Sequence, residues 1–498
     1  MTRHVAALTL AIVAAGCMVG PKYQRPPIAG TPAFKEPPPA GWKEAEPNEG
    51  ILRGRWWEIY NDPRLNDLVS KVELSNQNVI AAMARYREAV DQIQIARAAL
   101  FPTVTASPSV VVTRGSSLSS RGQLISGNSS SNTGTTSSGG GSSGTSGGGG
   151  SRVNVNYAMP FDISYQADIW GNIRRSVTAS KDAAQASAAD LENATLTFQA
   201  QLAQIYFQLH GLDADADLLR RNVIVFEQSL QLTQERFNAG VASGADVAQA
   251  KTQLETTRAQ LLDVGVGRAQ FEHAIAVLIG ETPAMVSIPE EIVNRPPPQI
   301  PLGLPSTLIE RRPDVAATER AIAVANEQIG IAKAAYFPML TLGGTGGFVS
   351  TSLATLFTVP SLFWSVGPQL AATLFDGGLR KGQLRLSKDA YDESVATYRQ
   401  TVLTAFQQVE DQLSSLRILE QEQSVQAEAR TAAQEAVDIA MAQYRAGTAD
   451  YLAVIVLQAA LLQAERQEID ILTRRLTASV LLIEALGGGW DTSQLPSY

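Results

Sequence analysis

The chain has 498 residues, 45% of them hydrophobic and 18% charged, with a formal net charge of −8. That acidic balance, with no Lys/Arg cluster, excludes nucleic acid as a natural partner. Mean hydropathy of −0.03 suits a water-soluble protein, and equally a β-barrel whose polar interior dilutes a lipid-facing band.

From the N-terminus, Arg3 supplies a basic region and residues 5–15 an apolar core too short to span a bilayer. Residues 1–16 therefore read as a secretory signal peptide. Ala14-Ala15-Gly16 lead directly into Cys17, the only cysteine, so no disulfide can form within the chain. Small residues before a lone Cys resemble a bacterial lipobox, which makes Cys17 the expected lipidation site; an ordinary signal with an incidental Cys is the blander alternative. Met18 rather than Asp follows, which by the same resemblance favours sorting to the outer membrane. Residues 17–63 read as a lipidated N-terminal tether, rich in Pro, Lys and Glu. Beyond the signal, no segment reads as a transmembrane helix.

The rest of the chain is a duplication. Ala96-Arg97-Ala98-Ala99-Leu100-Phe101-Pro102 recurs as Ala332-Lys333-Ala334-Ala335-Tyr336-Phe337-Pro338. Trp170-Gly171-Asn172-Ile173-Arg174 aligns with Asp376-Gly377-Gly378-Leu379-Arg380, and Phe237-Asn238-Ala239-Gly240 with Tyr444-Arg445-Ala446-Gly447. A Gly/Ser tract over 115–151 is an insertion in the first copy. The expected organisation is repeat 1 over 64–285, a Pro-rich linker over 286–305, repeat 2 over 306–486 and a tail over 487–498. A repeat of this size points to a symmetric scaffold.

Four segments alternate with period two, the mark of strands with unlike faces. Val104, Ala106, Pro108, Val110 and Val112 share one face of the first. Val153, Val155, Tyr157, Met159, Phe161, Ile163 and Tyr165 share one face of the second. Leu340, Leu342 and Phe348 mark the third, and Leu362, Trp364, Val366, Leu370, Ala372 and Leu374 the fourth. Pro108, Pro160 and Pro368 each remove a ladder donor. Each copy thus holds a β-hairpin, the first with the Gly/Ser tract as its loop.

No proline lies between Pro160 and Pro283 or between Pro368 and Pro496, which leaves room for very long helices. Val402, Phe406, Val409, Leu413 and Leu416 step as a coiled-coil seam, and Leu196, Ala200, Ala203 and Phe207 do so in the first copy. A helix from Asn172 to Phe237 would run on the order of 100 Å at ~1.5 Å per residue. Gly240-Val241-Ala242-Ser243-Gly244 and Gly447-Thr448-Ala449 turn the chain back, glycine suiting the left-handed residue that ends a helix. Asp246 is the expected cap of the first returning helix, with Gln249 three residues on.

Four amphipathic strands do not close a barrel alone, and open edges are not tolerated in hydrocarbon. Several chains must each donate four; two would give eight strands and three twelve. The apolar face would meet lipid and Thr, Ser, Asn, Asp and Gln a water-filled lumen. Tyr157, Phe161, Tyr165, Trp170 and Trp364 are candidate interfacial anchors.

Together with Gly16-Cys17-Met18-Val19-Gly20-Pro21-Lys22-Tyr23, Trp56-Trp57, Asp62-Pro63-Arg64-Leu65, Arg311-Arg312-Pro313-Asp314, Leu374-Phe375-Asp376-Gly377-Gly378 and Ala485-Leu486-Gly487-Gly488-Gly489-Trp490, the chain resembles the outer-membrane efflux proteins of the TolC and OprM type, in their NodT-like lipoprotein branch. The resemblance implies an α+β membrane protein: a TolC-like trimeric barrel with four transmembrane strands per protomer, continuous with long coiled-coil helices and carrying a two-fold internal repeat. It implies a passive exit duct in the outer membrane of a Gram-negative bacterium. The implied partners are a periplasmic adaptor and an inner-membrane pump of the resistance–nodulation–division (RND) class, with no cofactor beyond the lipid on Cys17. Position by position, Tyr444 and Arg445 fall where tip residues hold neighbouring helices closed, and Leu452 on an apolar constriction ring. Phe237, Gly240, Val241, Gly244, Gly447 and Thr448 fall on the adaptor-contacting tips. Ile455-Val456-Leu457-Gln458 stands where relatives often have Leu-Asp-Ala-Gln, so no acidic ring is carried over.

Other polar features read more plainly. Asp213, Asp215 and Asp217 lack the Gly and Glu of a calcium loop and suit a solvated helix face. His4, His210 and His273 are isolated, so no zinc site or catalytic triad is visible. Gly487-Gly488-Gly489 lacks the strand and Lys of a phosphate loop. A type I secretion duct is the alternative of the same class, and a periplasmic adaptor or structural coiled-coil lipoprotein that of another. Two hairpin copies with amphipathic strand pairs argue against the latter, and no constellation suggests an enzyme.

Overall fold

A computed structural model describes residues 18–27, 34–37, 39, 54–114, 153–300 and 310–498. The signal peptide, Cys17, parts of the tether, the Gly/Ser tract and the end of the Pro-rich linker lie outside them. The chain forms two compact units that cut across the duplication. One takes the described residues of 95–174 and 333–380 with Met18 and Val19; the other takes those of 20–94, 175–332 and 381–498.

The first unit is an antiparallel sheet. Its strands are β1 (Thr103–Ala106), β2 (Ser109–Arg114), β3 (Val153–Ala167), β4 (Met339–Ser350) and β5 (Leu362–Ala371). β1 and β2 both pair with β3, so the order has four ladder positions, with β4 and β5 following. The first expected strand is thus broken in two. Pro108 has no N–H to donate, and the break lies opposite Met159 and Pro160, where Ser107 N–H reaches Pro160 O at 3.2 Å. On β4 the same level is Gly347, where a Cβ would lie 2.2 Å from Met159 O, so only glycine lets the strands approach. The fourth strand ends at Ala371, short of the expected Leu374.

Directly opposed residues of an antiparallel pair share a face, and the register sorts them by polarity. Val104, Ile163, Gly344 and Val366 form one row, and Ala106, Phe161, Gly346 and Trp364 the next on that face. The alternate rows read Thr103, Ser164, Gly343, Gly367 and Thr105, Asp162, Thr345, Ser365, with Thr345 Oγ1 donating to Asp162 Oδ1 at 2.6 Å. The apolar face is bare in the single chain: Trp364 and Val366 are each 76% exposed. No strand among the described residues pairs with the outer edge of β5 or of β1 and β2.

Each hairpin passes into a helix through a carboxylate. Asp168 accepts from the N–H groups of Ile173 and Arg174 and from Arg174 Nε. Asp376 accepts from the N–H groups of Gly378 and Arg380 and from Arg380 Nε. Asp168, not Trp170, is therefore the counterpart of Asp376, and the first copy carries two extra residues in this turn. Trp170 instead stacks on Phe337 with ring centres 4.5 Å apart and donates to Pro338 O.

The second unit is helical. It draws on α1 (Pro63–Ser75), α2 (Gln77–Ala98), α3 (Asn172–Asn238), α4 (Gly244–Leu278), α5 (Pro313–Ala334), α6 (Leu379–Ala446) and α7 (Tyr451–Ala485). The copies match in length: 22 residues for α2 and α5, 67 and 68 for α3 and α6, 35 for α4 and α7. The predicted seams are buried, with Val402, Val409, Leu413 and Leu416 in one core cluster beside Leu196, Ala200, Ala203 and Phe207.

The quoted motifs interlock. Asp62 caps α1 through the N–H groups of Arg64 and Leu65, and also accepts from Tyr206 OH at 2.8 Å. Arg312 pairs with Asp314 and donates to Ala485 O at the end of α7. The described tether lies along α5 and α6. Tyr23 OH donates to Glu319, Arg25 Nε reaches Tyr398 OH at 3.1 Å, and Lys35 and Glu36 N–H groups donate to the Glu410 carboxylate.

Two residues of the acidic run do not lie on a solvated face, while Asp217 stays part-exposed and pairs with Arg221 one turn on. Asp213 is 2% exposed and Asp215 8%. Residues two apart lie about 200° apart around a helix, so each meets a different neighbour. Asp213 pairs with Arg268 of α4 and His210, and Asp215 pairs bidentately with Arg466 of α7. Burial opposes the Asp213 charge, yet hydrogen bonds from His210, Arg268 and Glu291 N–H hold its carboxyl below the ordinary value.

Candidate functional site

The residues singled out at the two glycine turns lie at the tips of two helical hairpins, α3–α4 and α6–α7. Both tips end their first helix in the same way. Gly240 has φ 75°, its N–H reaches Phe237 O at 2.9 Å, and Val241 N–H reaches Arg236 O at 2.8 Å. Gly447 has φ 78°, its N–H reaches Tyr444 O at 3.0 Å, and Thr448 N–H reaches Gln443 O at 3.0 Å. This is the Schellman pair of bonds, which needs a left-handed residue at the glycine. The returning helix α4 is capped by Ser243 rather than Asp246. Ser243 Oγ accepts from Asp246 N–H, and Asp246 sits at the third helical position with its carboxylate on Ser243 N–H. The shift follows from the turn, because Ser243 is the last extended residue and Gly244 already begins the helix.

The second tip divides into an inward and an outward set. Tyr444 is 4% exposed and Tyr451 2%, packed with Ala250, Ala440 and Val454, their rings 5.2 Å apart. Arg236 of α3 lies over the Tyr444 ring at 4.5 Å and donates through a terminal nitrogen to Tyr444 O at 2.8 Å. Tyr444 OH contacts Thr233 Oγ1 at 3.4 Å, and Gln458 Nε2 contacts Ser229 Oγ at 3.5 Å. Burial pushes the Tyr451 hydroxyl up to about 12, against hydrogen bonds to Thr233 and Ser229 that lower it. Arg445, Gly447, Thr448, Phe237, Gly240, Val241 and Gly244 are exposed, as are Leu452 and Val456 one turn apart on α7.

Arg236, Ser229 and Thr233 were not legible as site residues from motifs. Their one signal is spacing: Ser229, Thr233 and Arg236 stand at i, i+4 and i+7, a polar stripe beside apolar Phe226 and Leu230. Among the described residues, no group of three or more His, Cys, Asp or Glu is placed to hold a metal, and no helix is long and apolar enough to cross a membrane. The statement about helices says nothing of a β-barrel.

A sheet with two unlike faces and edges unpaired among the described residues, together with paired helical hairpins in a twofold repeat, fits the outer-membrane channels as a class. The chain belongs to the outer membrane efflux protein family, whose model matches residues 68–281 and 304–488. Its place is the outer membrane, and its role that of an efflux channel. It is 29% identical over 500 residues to the probable efflux pump outer membrane protein TtgC of Pseudomonas putida, covering 98% of this chain and 96% of that one. It is 30% identical over 441 residues to the pyoverdine export outer membrane protein OpmQ of Pseudomonas aeruginosa, covering 88% of each. The solved outer-membrane channel OprN superposes with a TM-score of 0.82 at 27% identity, over 95% of this chain and 100% of that one.

Proposed function

We propose that three copies of this chain close a twelve-stranded barrel and act as the passive exit duct of a tripartite efflux system. In it a periplasmic adaptor joins the helix tips to an inner-membrane RND pump, and energy comes from the pump. The carrying observation is the sheet: its apolar rows are bare, its polar rows lie opposite, and its two outer edges lack partners among the described residues. A second chain pairing at those edges satisfies the backbone and puts the apolar rows against lipid. Acylation of Cys17 would add a second hold on the membrane. The exposed Leu452 and Val456 suit an apolar periplasmic constriction, with Tyr444 bracing the tip from within and Arg445 facing outward. Phe237, Gly240, Val241, Gly244, Gly447 and Thr448 offer the surface for the adaptor.

Detergent-solubilised protein should migrate as a trimer that heat converts to monomer, and Cys17→Ser should lose incorporation of radiolabelled palmitate. A monodisperse monomer that stays dissolved without detergent would overturn the duct.

A further inference from the structure

We propose that the internal repeat dictates the register in which two copies join. The free edge of β5 pairs with the free edge of β1 and β2 of a second copy as β3 pairs with β4 within one chain, so that Gln369 lies directly opposite Ser109 of the next copy. The proposal rests on the trimeric-barrel reading above and names the residues that meet at its seams.

Two pairings within the chain are the same step taken twice. Thr103 and Met339 each follow the Phe-Pro that ends a repeated helix. Thr103 lies opposite Ser164, and Met339 opposite Ala371. The second copy of the repeat therefore has β4 where the first has β1 and β2, and β5 where the first has β3. Pro108 interrupts the ladder without shifting it: Ala106 faces Phe161, and Ser109 faces Ala158, equally far along both strands. The β3–β4 ladder joins the first repeat to the second. Carried one repeat onward, it becomes a join from β5 to the first strand of another chain. Asp162 opposite Thr345 becomes Gln369 opposite Ser109, Met159 opposite Phe348 becomes Val366 opposite Val112, and Ala167 opposite Leu340 becomes Leu374 opposite Val104.

This register sets like against like. Val366 and Val112 lie on the apolar face, and Gln369 and Ser109 lie on the polar face, where Thr345 donates to Asp162 within the chain. A slip of one residue would turn one strand's apolar set to the wrong side. The same register accounts for the end of β5. In β3 the last residues, Tyr165 to Ala167, pair with β4 alone, because β1 begins opposite Ser164. Their counterparts Ala372, Thr373 and Leu374 keep the alternation but have no ladder partner among the described residues. The strand stops at Ala371, with Leu374 96% exposed. What β3 receives from β4, β5 receives only from another copy.

The test uses the full-length channel carrying Gln369→Cys with Ser109→Cys, oxidised with copper–phenanthroline in outer membranes and run in SDS without reductant. The two positions stand on opposite edges of one chain's sheet, so a disulfide joins copies. Opposed Cβ atoms lie about 4.5–5.5 Å apart and diagonal neighbours about 7–8 Å, and a disulfide needs Cα atoms within about 7 Å. Reducible dimer and trimer bands should therefore be about fivefold or more stronger than for Gln369→Cys with Ser107→Cys or with Val111→Cys. The unsubstituted chain and each single variant, treated alike, account for Cys17. Val366→Cys with Val112→Cys, set against Val366→Cys with Val110→Cys, reads the same register from the apolar face should the first pair fail to assemble. A displaced pair that crosslinks as well or better overturns the register and leaves the duct standing. So does the absence of crosslinks in every pair while heat-sensitive trimer is present. An unsubstituted chain with no such trimer in detergent counts against the duct reading itself and removes the proposal with it.

Discussion

Arg236 and Tyr444 join the two copies of the repeat: the guanidinium lies 4.5 Å over the ring and donates to the same residue's carbonyl at 2.8 Å. That carbonyl also closes the tip turn by accepting from Gly447 N–H. One side chain of the first hairpin thus holds both the core and the turn of the second. Arg236→Ala removes a cation–π contact and a charge-assisted bond, together about 2 kcal/mol. Amide hydrogen exchange over the α6–α7 tip should accelerate roughly 30-fold. Arg236→Lys should fall between, since it keeps the charge without the planar fork. Unchanged exchange would show that the pair does not brace the tip.

Leu452 and Val456 offer an exposed apolar step on α7. An apolar constriction resists ions by dewetting, so Leu452→Ser should raise open probability in planar bilayers. No rise would remove Leu452 from the gate.

The turn glycines and a helix-interior glycine should respond with opposite sign. Gly447 and Gly240 sit at positive φ, where alanine costs about 1 kcal/mol. Gly265 lies inside α4 with open space around it, and alanine there should stabilise by about 0.5–1 kcal/mol. Thermal unfolding of the three single variants measures this directly.

Gly347 is the most tightly enclosed of the described strand glycines, with Met159 O and Pro160 Cα in the way of any Cβ. Gly347→Ala should impair assembly, read as loss of heat-modifiable migration. Gly343→Ala, with nothing within 4 Å, should assemble normally.

Burial pushes the Asp182 carboxyl up to about 6, opposed by Arg320. Its proton is therefore held more tightly folded than unfolded. The stability it contributes is present below the ordinary carboxylate value and is lost as pH rises toward 6. Asp182→Asn stays neutral throughout, so the difference in melting temperature between it and the unsubstituted chain should change between about pH 4 and 6 and level off above. A constant difference across that window would mean the carboxyl titrates normally.

Sequence alone determined the architecture wherever the signal is periodic or sits in a turn. Period two marked the strands, the Val402 to Leu416 spacing marked a buried seam, and Gly240 and Gly447 marked the tips. Each depends only on a residue's near neighbours along the chain. What lies across from a residue was decided only in three dimensions. Asp213 and Asp215 read as solvated because their run is polar, but neighbouring helices enclose them from two sides and supply Arg268 and Arg466. The first strand read as continuous, but Pro108 has no N–H to offer the ladder, and the pairing breaks where it passes Met159 and Pro160 of the neighbouring strand. Tyr444 read as a tip residue, and only the fold turned its ring inward onto Arg236, more than two hundred positions away in the chain. Local pattern encodes which face of an element is apolar; the identity of the partner on that face depends on how distant elements pack, and no short-range spacing carries it.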